Sequence, residues 1–212
     1  MASSLSIFDA VPQKRRVFFS FHYQNDVWRV NQVRQSWRYN HQNSREAEGF
    51  YDASIWERSK LTGPDSLKNL IRSGMQNTSV TCVLVGSETY ARRWVRYELA
   101  RSVVKGNGLL GVRVHLMGDR NGYASPQGPN PLDYMGVYLA NGAVRLAEHS
   151  NGKWIRYTDY TQSVNLPPTW RKPHDNNVIK LSSYAGLYCY CSQRGSENFS
   201  SWVRQAAADV GR

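Results

Sequence analysis

No stretch of this 212-residue chain is an apolar run long enough to cross a bilayer, and residues 1–16 lack the apolar centre of a secretory signal. A protein of the cytoplasm is therefore expected, with a loose tail over residues 1–13 and no membrane partner. Cysteine is scarce, at three residues. Cys82 sits in an apolar segment, and Cys189 and Cys191 have no second pair at zinc spacing, so neither a disulfide framework nor a metal site is expected. Absent too are a glycine-rich phosphate cradle, any DNA- or RNA-binding module pattern, internal repeats and low-complexity tracts. Acid is in short supply, with 16 Asp and Glu against 27 Lys and Arg, a net charge of +11. That balance favours an anionic partner. The basic residues are scattered rather than gathered into a stripe, which argues against nucleic acid and suits a dinucleotide with its pyrophosphate equally well.

What is present reads as alternating strands and helices. Val17–Phe21 is apolar and aromatic, a strand signal, and Asn25 or Asp26 can cap a helix carrying Val27, Val30, Val33 and Trp37 on one stripe. The start of such a helix, reached from a strand by a tight turn, attracts phosphate through its free N–H groups. Gly49–Asp52 is a short second strand, and a long loop runs from it to Gly63-Pro64. A helix begins at Asp65 or Ser66, and Val80–Val85 is a continuous apolar run of the kind covered on both faces in a parallel sheet. A helix from about Arg92 ends at Gly106-Asn107-Gly108, and Leu109–Leu116 is a further strand. This order predicts an α/β core over residues 14–118, with a parallel sheet flanked by helices. In the extension, residues 119–212, two Asn-Gly pairs separate Met135–Ala140, Ala143–Ser150 and Lys153–Tyr157, which predicts a three-stranded antiparallel meander over about 135–158. Val178–Leu181 and Tyr184–Tyr190 are extended or helical, and an amphipathic helix over about 197–209 closes the chain.

One helix carries an awkward acid. Trp94, Val95, Glu98, Leu99, Ser102 and Val103 share one side of the helix after the third strand, so Glu98 lies one turn beyond Trp94 on or beside the apolar face. Ligands of open α/β sheets bind outside the carboxyl ends of the strands. The competing account is a rim glutamate paired with Arg93 or Arg101, a common and energetically small arrangement.

The segments Arg16–Tyr23, Asp52–Glu57, Asn77–Ser87, Arg92–Glu98 and Gly128–Tyr134 keep the order and character of a TIR domain. They resemble, more narrowly, the TIR-like NAD-consuming proteins of the bacterial Thoeris anti-phage defence system. The loop signature that animal TIR domains carry after the second strand is absent. The resemblance implies a flavodoxin-like TIR fold and cleavage of NAD+ at the nicotinamide–ribose bond, with NAD+ as substrate and no cofactor. It also implies a cyclic ADP-ribose signal acting on a separate effector, a phage-derived trigger and self-assembly. Glu98 then matches the family's essential acid. Around it, Phe19, Ser20 and Phe21 at the end of the first strand, Asp52 and Trp56 on the loop after the second strand, and Arg93 and Trp94 are candidate substrate-binding residues. Each has an ordinary alternative: core packing for the phenylalanines, a satisfied turn for Ser20, a cap for Asp52, a loop anchor for Trp56, solvation for Arg93. A non-enzymatic TIR-type adaptor is the rival from another class, and a basic nucleic-acid binder the third.

Overall fold

A computed structural model describes residues 15–39, 63–174 and 177–212. The elements are β1 (Val17–Ser20), α1 (Tyr23–Tyr39), α2 (Pro64–Gly74), β2 (Val80–Val85), α3 (Arg93–Lys105), β3 (Gly108–Arg113), β4 (Met135–Ala140), β5 (Ala143–Ser150), β6 (Lys153–Arg156), β7 (Val178–Lys180), β8 (Gly186–Cys189) and α4 (Gly195–Ala208). The expected strand Gly49–Asp52, with Asp52 and Trp56, lies outside the described residues.

The first sheet runs β1-β2-β3-β8, parallel throughout. Strands β1, β2 and β3 are buried on both faces, which is why β2 is apolar almost without interruption, while the edge strand β8 is only partly buried. Alternation along β2 sends Val80, Cys82 and Leu84 to a core shared with Val30 and Val33 of α1 and Phe199, Trp202 and Val203 of α4. Val83 and Val85 face the opposite way, onto Val95, Leu99 and Val103 of α3. Beyond α3 lies a second, antiparallel sheet in the order β6-β5-β4-β7. Both Asn-Gly turns form as expected: Asn141 and Gly142 have φ of 52° and 72°, and Asn151 and Gly152 have 49° and 77°. Positive φ at both central positions matches the twist of paired strands, and Asn and Gly accept it readily. The α/β class is thus observed, with helices on both faces of a parallel sheet, a separate antiparallel sheet and a C-terminal helix.

Several elements differ from the sequence expectation. The antiparallel sheet has four strands, because β7 pairs with the free edge of β4 through Gly136↔Lys180 and Val137↔Ile179. Three residues carry too little pattern to announce a strand whose partner lies some forty positions upstream. Gly186–Cys189 resolves the ambiguous 184–190 segment: it adds to β3 and completes the parallel sheet, with α4 packed beneath. The chain set apart as an extension thus returns to the first sheet for its last two elements. Helix α1 opens at Tyr23, ahead of Asn25 and Asp26, so Asp26 lies inside the first turn instead of capping it. Strand β3 stops at Arg113, where the chain turns and leaves Leu116 half exposed.

Candidate active site

The geometry follows from two periodicities. In β1, Val17 and Phe19 face α1 and α4, so Phe18 and Ser20 face the α2 and α3 side. In α3, a spacing of four places Glu98 above Trp94. These two alternations bring Ser20 and Glu98 together across 78 residues: the Ser20 hydroxyl donates to Glu98 Oε2 at 2.5 Å. Helix α3 is also tied to the sheet below, since Ser102 Oγ reaches both the Glu98 carbonyl and Thr81 Oγ1 of β2 at 2.7 Å.

Glu98 is 5% exposed, and that small opening gives onto a cavity of about 330 Å³. Phe21, His22 and Tyr23, from the turn between β1 and α1, form one wall; Arg93 and Trp94 of α3 form another. The cavity therefore sits at the carboxyl ends of β1 and β2, where an open α/β sheet places its ligands. Desolvation pushes the Glu98 carboxyl up to about 8, and the Ser20 hydrogen bond opposes that rise by stabilising the anion. The group is poised between neutral and ionised forms near physiological pH. No rim ion pair with Arg93 or Arg101 is formed, because both the apolar face and Ser20 hold the side chain inward.

The other candidate residues separate clearly. Phe19 is a core residue, its ring 6.0 Å from that of Trp37 and 5.9 Å from that of Phe199, and it does not line the cavity. Phe21 lies past the strand end, where alternation no longer applies, and does line it. Trp94 packs edge-on against Tyr97 at 6.0 Å, which fixes its ring at the cavity wall. Arg93 borders the cavity, yet its guanidinium is bidentate to Asp159 at 3.0 and 2.9 Å and lies over Trp94 at 5.1 Å. Lys68 of α2 also meets Asp159, at 2.9 Å, so the loop after β6 is clamped both to α2 and to the start of α3. Arg92 is paired with Glu88.

Sequence reasoning missed the support behind the site. Asp26 is fully buried and paired with Arg29 at 3.3 Å. Arg29 in turn donates to the carbonyls of Met117 and Tyr123 at 2.8 and 2.9 Å. Burial raises the Asp26 carboxyl and Arg29 pulls it back. A Cβ on Gly86 would lie 2.1 Å from Asp26 Oδ2, so glycine at the exit of β2 is what admits this pair. The Asp–Arg spacing of three in a helix start was the only available signal, and it is a common one. Among the described residues, no group of three or more His, Cys, Asp or Glu could hold a metal ion, and no helix is long and apolar enough to cross a membrane.

Comparison with known proteins bears on the whole arrangement. The sequence model of the family described as "Thoeris protein ThsB, TIR-like domain" matches residues 18–119, a span that contains Ser20, Trp94 and Glu98. A protein of Bacillus cereus (strain MSX-D12) named "Putative cyclic ADP-D-ribose synthase ThsB1" is 43% identical over 195 residues, covering 89% of this chain and 98% of that protein.

Proposed function

The chain belongs to the Thoeris ThsB TIR-like family, and from that premise we propose that it consumes NAD+ and converts it to a cyclic ADP-ribose signal. The observation that carries the reading is the buried Glu98 carboxyl, held by Ser20 and opening onto a cavity at the carboxyl edge of the sheet.

The bond between nicotinamide N1 and ribose C1′ breaks, and its electron pair neutralises the pyridinium as nicotinamide leaves. Positive charge then develops at C1′, as in glycoside chemistry generally. An ionised Glu98 beside that ribose stabilises the charge, and positioned electrostatics of this kind is often the largest catalytic contribution. The cationic nicotinamide of NAD+ itself favours ionisation of the carboxyl on entry. A hydroxyl elsewhere on the ADP-ribose attacks C1′, its proton passes to a base such as Glu98, and the ring closes. Trp94 and Phe21 wall the site, and exclusion of water is what separates cyclisation from hydrolysis to ADP-ribose. The first turn of α1, at Tyr23 and Gln24, borders the same cavity and suits the pyrophosphate.

In this reading the product diffuses to a separate effector, a phage-derived component switches the enzyme on, and self-assembly completes the active form. The test is mass spectrometry of NAD+ incubated with the activated protein. Nicotinamide and a cyclic isomer in equal amounts support the reading; ADP-ribose alone would make the protein a hydrolase, and unchanged NAD+ would leave the adaptor.

A further inference from the structure

Outside the apolar cores, four rings run in file from the turn before α3 onto the antiparallel sheet. Tyr90 meets Tyr134 at 5.2 Å, Tyr134 meets His149 at 5.8 Å, and His149 meets Trp154 at 5.3 Å. The file ends at Trp154 of β6, a half-buried tryptophan that belongs to none of the clusters. Gly136 of β4 lets the Trp154 ring lie close over the sheet, because a Cβ there would be 2.6 Å from Val178 Cγ1, 2.8 Å from the Ile179 carbonyl and 3.3 Å from the Trp154 ring. A cavity of about 570 Å³ opens at this point, apart from the Glu98 cavity, and Arg113, Asp133 and Lys180 share its wall with Trp154.

Arg113 is the last residue of β3, at the carboxyl edge of the parallel sheet. Its Nε is buried with no acceptor among the described residues. The residue as a whole is half-buried and lines the cavity, so its planar guanidinium, with five N–H donors in all, can meet an anion there. Lys180 brings a second positive charge to the same wall. Asp133 is the one acid there; it accepts the Ser182 hydroxyl at 2.6 Å and has acceptor capacity left over. Two cations, one carboxylate and an open tryptophan make a complementary set: phosphate for the cations, ribose hydroxyls for the carboxylate, a base for the ring.

We propose that this cavity is a second, non-catalytic binding site for a nucleoside phosphate, with the phosphate on Arg113 and Lys180 and the base stacked on Trp154. The site is independent of the cleavage chemistry at Glu98, so an inactive enzyme would still show it.

The experiment is equilibrium dialysis of the full chain with ADP, NAD+, adenosine and inorganic phosphate. ADP binds, while adenosine and phosphate each bind at least about tenfold more weakly, since each keeps only one half of the contacts. Arg113→Met and Trp154→Leu each weaken ADP by about tenfold or more, Arg113→Lys recovers part of the loss, and nicotinamide release stays at the parental rate. Competition tells the sources apart: NAD+ displacing ADP at equal concentration assigns the site to the adenylate half of the dinucleotide, and ADP prevailing assigns it to free nucleotides. Should Trp154→Leu fail to fold, Arg113→Met carries the test. ADP affinity equal to the parent in the folded variants, or no ADP binding at millimolar concentration, would overturn the proposal.

Discussion

Replacing Ser20 by Ala removes one hydroxyl from a fully buried position and little else, which makes it a clean probe of how Glu98 is tuned. Hydrogen bonds to a charged group contribute about 1.5–3 kcal/mol. At about 1.4 kcal/mol per pKa unit, losing this one moves the Glu98 carboxyl up by about one to two units from its value of about 8. The direction follows from the donor: the hydroxyl stabilises the carboxylate, so without it the neutral acid persists to higher pH. The proposed chemistry needs the anion, so activity is present above the folded pKa and lost as pH falls through it. The assay is kcat/KM for nicotinamide release between pH 6 and about 9.5, which reports ionisation of the free enzyme. The parent levels off above about pH 8, and the variant is still climbing about tenfold per pH unit there. At pH 7 the variant is about 10- to 100-fold slower, and the gap narrows as pH rises. A variant curve parallel to the parent, with its limb at the same pH, would refute the reasoning, because the hydroxyl would then not govern the carboxyl.

Two further outcomes concern stability. Because the Glu98 carboxyl titrates near 8 when folded and near 4.5 when not, the folded state holds an extra proton between those values, and stability declines as pH rises through that window. Glu98→Gln does not share this loss, so its melting temperature rises relative to the parent's by about 3–5 °C per pH unit from pH 5 to 8; a constant difference in thermal scans contradicts the burial argument. Gly86→Ala forces a methyl onto the Asp26 carboxylate, which Arg29 holds in place, and the overpacking costs about 1–3 kcal/mol in urea titrations. Parental stability in that variant would show that the Asp26–Arg29 pair yields freely.

Local pattern carried much of this architecture. The continuous apolar run of β2, the spacing from Trp94 to Glu98, and the two Asn-Gly turns each depend on residues close together in the chain, so their signals survive without a structure. Short partners did not announce themselves. β7 and β8 are three and four residues long, and each finds its place by pairing with a strand far upstream. How a helix seats over a sheet was likewise invisible, which is why Ser20 was recognised only as near the site and not as the donor to Glu98. Phe19 and Phe21 both belong to an aromatic strand end, yet one stays in the core while the other leaves the strand and reaches the cavity. The bond between Arg93 and Asp159 joins two elements 66 residues apart, and a charged pair of that kind has no local pattern.

The central claim is that the Glu98 carboxylate supports departure of nicotinamide from NAD+. Nicotinamide release by the activated parent and by Glu98→Gln, with both proteins shown to be folded, tests it directly. The account predicts a loss of about 100-fold or more in the variant. Release at the parental rate would remove this acid from the chemistry.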